Sequence, residues 1–333
     1  MNLKSKISVV LFAATAVVMA SCGGGKPKTE KVEEKTAEVN IPSFNADSAY
    51  LYVKAQCDFG PRVNNTKAHD LCADYLISKF KSFTPDVAVQ SGKLRAWNGT
   101  YLRFQNIIAS FNPDKAARIF ISAHWDSRPY ADQDPDAKNH RKPIIGANDG
   151  ASGVGVLLEM ARQLSQNKPD IGVDLVLFDA EDYGVPEGIQ VENSDDTWAL
   201  GAQYWSANPH KSGYKPRFGI LLDMVGAANA TFTMEETSMY YAPDIMRKVW
   251  DIASEAGYSG YFSSQQTGGI TDDHLYVNKI MKVPTIDVIQ HDPSTQSGFY
   301  PYWHTLKDDF SVIDKNTLKA VGQTMLEVIY REK

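Results

Sequence analysis

Apolar residues along the chain follow two rhythms. At Leu71, Cys72, Tyr75, Leu76 and Phe80 they recur at helical spacing and predict a helix over residues 67–83. Before it, Asn45 or Asp47 can cap a helix running to Cys57, which Phe59-Gly60-Pro61 stops. Residues 102–111 and 118–123 are apolar-alternating runs that read as strands. Residues 173–178 and 219–222 are short, nearly continuous apolar runs, as in central strands covered on both faces. Asp149-Gly150 opens a helix that buries Val154, Val156, Leu157, Leu158, Met160 and Ala161, and further helices are predicted near 197–208, 243–256 and 315–332. This alternation, without internal repeats, predicts one α/β domain with a central twisted, mostly parallel (mixed) sheet flanked by helices. In such sheets functional groups gather at the carboxyl ends of strands.

The first residues follow another pattern. Lys4 and Lys6 precede a short apolar core from Val9 to Met19, and Met19-Ala20-Ser21-Cys22 sets small residues before a cysteine. The run is too short to span a bilayer comfortably and reads as an export signal. It resembles a bacterial lipoprotein box, which implies a signal peptide of residues 1–21 and a lipid on Cys22. Residues 22–44 are rich in Gly, Lys, Glu and Pro, with almost no large apolar side chain, and read as a flexible tether. The domain then covers 45–333. The expected location is the bacterial cell envelope, on the periplasmic side and anchored by lipid.

Composition narrows the classes. With 333 residues, 43% of them hydrophobic, the chain can bury a sizeable core, which excludes disorder, collagen and a disulfide-stapled miniprotein. The 34 basic against 40 acidic side chains give a net charge of -6 with no long run of one sign, which argues against a nucleic-acid partner. Cys57 and Cys72 can pair in an oxidising compartment or serve as small buried hydrophobes on helix faces; their spacing leaves both readings open.

The strand ends share a chemical theme. His124-Trp125-Asp126 ends one strand, and Asp149 lies where a loop turns into a helix. Asp179-Ala180-Glu181-Asp182 ends the next strand, Asp223 ends another, and His304 sits in Tyr300-Pro301-Tyr302-Trp303-His304-Thr305. Each has an ordinary alternative: Asp149 as a helix cap, Asp223 holding a loop amide, the histidines as hydrogen-bonded structural residues, Glu181-Asp182 as a solvated turn. Together they point to a divalent metal, because a core does not repeatedly place ionisable groups at strand ends without partners. Successive side chains leaving a strand point in opposite directions, so one of Glu181 and Asp182 can bind metal while its neighbour faces the reacting group.

The order His124-x-Asp126, Asp149, Glu181-Asp182, Asp223, His304 resembles the zinc exopeptidase superfamily. In its two-zinc aminopeptidases, positions matching His124, Asp149, Asp182, Asp223 and His304 bind metal, and the one matching Glu181 is the base. A narrower resemblance is to the animal-type glutaminyl-peptide cyclotransferases. It rests on Ser122-Ala123-His124-Trp125-Asp126-Ser127, Gly146-Ala147-Asn148-Asp149, Phe178 to Asp182, Leu222 to Ala227, Asp272-Asp273-His274 and Trp303-His304-Thr305, spanning about residues 59–309. The chain departs from the animal enzymes at Asp182, where they carry the longer Glu. It also lacks the aromatic that closely follows that pair, having Tyr183-Gly184-Val185-Pro186 instead. Trp198, beyond an inserted segment, is either a substitute for that wall or a packing residue of the next helix.

The resemblance implies a peptide or protein substrate with N-terminal glutamine, cyclised to pyroglutamate with loss of ammonia. It implies one Zn2+ held by Asp149, Asp182 and His304, with Glu181 as proton shuttle. Asp223 and Asp272 would serve the substrate amide, and Trp303, with Trp198, would form an apolar slot. His124 would stand behind the ligands and orient them, or form part of a second metal site. Two other readings stand beside it: a periplasmic two-zinc aminopeptidase, and a catalytically silent peptide-binding lipoprotein, against which the Glu181-Asp182 pair argues.

Overall fold

The computed structural model describes residues 40–333 apart from Asn193. The expected signal peptide, the expected lipidation site Cys22 and most of the expected tether lie outside the described residues. Asn45 caps α1 (Ala46–Cys57) by accepting the Ser48 N–H, and Thr66 caps α2 (Lys67–Phe83) through His69. There follow β1 (Val87–Arg95), β2 (Tyr101–Phe111), β3 (Arg118–His124), α3 (Ala151–Gln166) and β4 (Gly172–Phe178). Next come α4 (Leu200–Ala207), β5 (Gly219–Asp223), β6 (Phe232–Glu235), α5 (Glu236–Tyr241) and α6 (Pro243–Glu255). The chain closes with β7 (Phe262–Thr267), α7 (Asp273–Tyr276), β8 (Thr285–Ile289) and α8 (Lys315–Arg331).

The main sheet has the order β1-β2-β4-β3-β5-β8, and β6 pairs with β7 in a small second sheet. β1, β2 and β4 are antiparallel neighbours, whereas β4, β3, β5 and β8 run parallel. The carboxyl ends of four strands therefore meet at one edge, with β3 in their midst.

Alternation along the strands builds a core on each face. Ile119, Ile121, Val173, Leu175 and Leu177 pack with α1, α2, α3, α6 and α8, while Phe120, Val176 and Phe178 pack with Trp205 of α4. Asp174 is fully buried on the second face. Arg118 grips it at 2.6 and 2.7 Å, and the hydroxyls of Ser110 and Tyr214 donate to it. Those bonds answer the desolvation of the charge.

Packing brings one correction and closes one reading that the sequence leaves open. The proposed tether ends earlier than residue 44, because Phe44 is 2% exposed and its ring occupies the space that a side chain at Gly322 would fill. The Phe44 N–H donates to Gln323 and its carbonyl accepts from Lys319. Cys57 and Cys72 are free thiols. Among the described residues, no helix is long and apolar enough to cross a membrane.

Candidate active site

Each functional side chain is set by a local device. β3 delivers His124 at its last residue, and Asp126 just beyond accepts the N–H groups of Glu181 and Asp182, each at 3.1 Å. One carboxylate thus fixes the backbone of the acidic pair that follows β4. The turn before α3 needs glycine: Gly150 has φ +100°, and a Cβ there would meet the Asp126 carbonyl at 2.6 Å. Gly150, not Asp149, is the helix cap, so the Asp149 carboxylate is free to turn inward. The buried Asp308 holds that turn by accepting the N–H groups of Asn148 and Asp149 at 2.9 and 3.1 Å.

Asp149 joins two clusters. Its Oδ1 lies 3.0 Å from His124 Nε2, which is 3.1 Å from Asp223. Its Oδ2 lies 3.6 Å from His304 Nε2, which is 3.2 Å from Asp182. Within each triad the candidate ligand atoms all fall within 4.8 Å of one another. Asp149 Oδ2 and both Asp182 oxygens are buried without a hydrogen bond. Buried carboxylate oxygens left in this state call for a cation, and two carboxylates with one imidazole match the donor set of a catalytic zinc with an open position.

The electrostatics separate these acids. Burial, with the Asp149 charge adding to it, pushes Asp182 up to about 6. Burial likewise takes Asp223 to about 7. Glu181 is raised well above the carboxylate range by burial, with His124 opposing and Asp272 and Asp182 adding to the rise. For Asp149 burial pushes upward, but the hydrogen bond and charge of His124, together with the His304 and Arg128 charges, outweigh it and the net direction is down. Glu181 is thus a buried acid beside the His304 triad, suited to holding and passing a proton.

A cavity of about 410 Å³ opens over this floor. Asp149, Glu181, Asp223 and Asp272 supply its polar surface, and Trp198, Ile289, Phe299 and Trp303 its apolar walls. The Trp303 ring stacks on His304 at 3.8 Å, and Trp198 lies parallel to His304, 8° between planes at 5.9 Å. Trp198 therefore faces the site as well as preceding α4. Asp272 caps α7, accepting the Asp273 N–H at 2.5 Å.

All the side chains singled out from the sequence within the domain thus gather at one edge of the sheet. The sequence reading omitted Arg128, Asp132, Asp287 and Asp308. Asp287 on β8 faces Asp272, and burial followed by the Asp272 charge raises its carboxyl well above the usual range. A charged residue between the apolar Ile286 and Val288-Ile289 of β8 was the available signal; the other three lie in irregular loops that carry no periodicity.

The family model for peptidase family M28 matches residues 106–329. The chain is 55% identical to a Bacteroides thetaiotaomicron glutaminyl cyclase solved with N-acetylhistamine bound, with TM-score 0.87, covering 88% of this chain and 100% of that one. It is 54% identical to a structure described as a leucine aminopeptidase precursor from the same species, with TM-score 0.86 and coverage of 89% and 100%. A glutaminyl-peptide cyclotransferase of Gloydius blomhoffii is 27% identical over 253 residues, which span 68% of this chain and 64% of the relative.

Proposed function

The chain belongs to peptidase family M28, and from that premise we propose that it is a zinc-dependent glutaminyl-peptide cyclotransferase. Its substrates are peptides and proteins that begin with glutamine, and its products are the pyroglutamyl chain and ammonia. The observation that carries this reading is the aromatic-walled cavity, in which Glu181, Asp223 and Asp272 stand beside the Asp149–Asp182–His304 triad. Similarity to bacterial glutaminyl cyclases supports it.

Asp149, Asp182 and His304 would hold one zinc ion, which when bound would supply Lewis-acid chemistry at the γ-carboxamide. Glu181 takes a proton from the α-amino group, whose lone pair then forms the bond to the γ-carbon. The same carboxyl returns that proton to the γ-nitrogen as the carbon–nitrogen bond breaks and ammonia leaves. Asp223 accepts a hydrogen bond from the γ-amide N–H, and Asp272 holds that amide in register. Trp198 and Trp303 enclose the two methylenes of the glutamine side chain and keep water from the acyl carbon.

Glu181→Gln tests the assignment. It is expected to retain zinc and to lower turnover of a Gln-initial peptide by roughly two orders of magnitude or more, measured as ammonia release and as product mass. Loss of zinc on Glu181→Gln, with retention on Asp182→Asn, would mean that the two roles are exchanged.

His124, at 3.0 and 3.1 Å from Asp149 and Asp223, favours a second reading, a two-zinc aminopeptidase. Metal analysis separates the two: the cyclase carries close to one zinc per chain and keeps it when His124 is replaced. An aminopeptidase loses one of two metals and releases free amino acids from a Leu-initial peptide. For the intact protein we propose a lipid anchor at Cys22 and a periplasmic location in the cell envelope.

A further inference from the structure

Arg128, on the loop after β3, has no role in the chemistry described above, yet its side chain is 0% exposed. A buried guanidinium is strongly disfavoured unless its donors are used. Here Nε and Nη2 form a fork on Asp132 at 2.7 and 2.6 Å. Nη1 donates to the carbonyl of Asp182 at 3.1 Å and stands 3.5 Å from Asp182 Oδ1. The flat face of the group lies under the indole of Trp198, 4.5 Å from its centre.

Asp132 extends the reach of this group. Its Oδ1 is 3.5 Å from Nδ1 of His304, the ring nitrogen opposite the one that faces Asp149 and Asp182. A carboxylate in that position favours the tautomer with its proton on Nδ1, which leaves the Nε2 lone pair for a metal. The other oxygen, Oδ2, accepts the N–H of Glu187 at 3.0 Å and so ties down the segment that leads toward Trp198.

We propose that Arg128, acting with Asp132, is a positioning residue that locks the zinc ligands His304 and Asp182 and the Trp198 wall into one geometry, so that metal affinity and substrate affinity depend on a single guanidinium. The planar fork matters more than the charge, since an ammonium cannot hold a carboxylate in two places, donate to a carbonyl and present a flat face to an indole. The substrate half of this inference rests on the cyclase reading; the metal half rests on the triad alone.

The test uses Arg128→Lys and Asp132→Asn, each first shown to be folded by circular dichroism. Zinc affinity is measured by competition with a chromophoric chelator, and KM and kcat are measured separately on a Gln-initial peptide at saturating zinc. Both variants are expected to bind zinc about tenfold or more weakly, and Arg128→Lys is expected to raise KM by a larger factor than it lowers kcat. A purely structural role would lower the melting temperature and leave zinc affinity and KM of the folded protein within twofold of the parent, a result that overturns the proposal. If Arg128→Lys does not fold, the zinc affinity of Asp132→Asn decides alone, and an unchanged value rejects the coupling. Failure of the parent to cyclise the peptide would refute the cyclase reading, while the zinc titration would still judge the positioning of the ligands.

Discussion

Gly184 offers a way to remove the Trp198 wall without touching Trp198. A Cβ built on Gly184 would stand 2.1, 2.2 and 2.6 Å from three atoms of the indole, well inside van der Waals contact. The backbone there is outside the left-handed region, so alanine meets no torsional strain and the clash falls on the ring. Two of these atoms form the fused bond of the indole and the third adjoins it, so they cannot swing aside as the tip of a flexible chain does, and Gly184→Ala must displace the whole indole. The substrate then loses apolar cover on one side of two methylenes, each worth about 0.8 kcal/mol when fully buried. With Trp303 still covering the other side, the loss is about half of the full burial of the two methylenes, about 0.8 kcal/mol, or roughly a 4-fold rise in KM. Zinc content should not change, since no ligand moves directly. The assay is ammonia release from a Gln-initial peptide over a range of concentrations, run on Gly184→Ala, Trp198→Ala and the double variant. The two changes remove the same wall, so their effects should be strongly non-additive. A KM within twofold of the parent, or simple additivity, would refute the idea that Trp198 encloses the substrate.

Deleting residues 1–39 should leave stability in urea unchanged, whereas deletion through residue 44 removes a 2%-exposed Phe44 from the core and should cost about 3–5 kcal/mol. His210 gives a pH test away from the site. Burial, partly offset by Asp174, brings its imidazole down to about 4, and its Nδ1 accepts from the Trp205 indole at 3.3 Å. A folded value below the ordinary ~6.5 stabilises the fold above that pH, and this contribution is lost as pH falls towards 4. His210→Gln should therefore flatten the decline in unfolding free energy between pH 6.5 and 4.5, and an unaltered slope would reject the assignment. Burial raises the Cys57 and Cys72 thiols to about 11 and 12, so neither should react with a thiol reagent at pH 8 until the protein is unfolded.

Much of the architecture was legible because it is written in local periodicity. The helix over Lys67–Phe83 and the strands at Arg118–His124 and Gly172–Phe178 show themselves through apolar spacing, and the strands place His124 and the acidic pair at their ends. Elements with little buried surface were silent. β1 is largely solvent-exposed, and β7 carries Ser263-Ser264-Gln265-Gln266, so neither produces an apolar signal, although both are hydrogen-bonded strands. The end of the tether was misread for the complementary reason: Phe44 is one apolar residue in a polar stretch, and its partner Gly322 lies far along the chain.

By itself the sequence determined which ionisable groups stand just past the buried strands, and such groups need partners wherever the strands go. Only the tertiary structure decided how those groups share their partners. The parallel order β4-β3-β5-β8 brings Asp149 within reach of both His124 and His304, and turns Trp198 toward the cavity. It also sets Arg128 and Asp132 behind Asp182 and His304. Such distances depend on strand order and on loops without repeats, and no local pattern encodes a contact between residues more than a hundred positions apart.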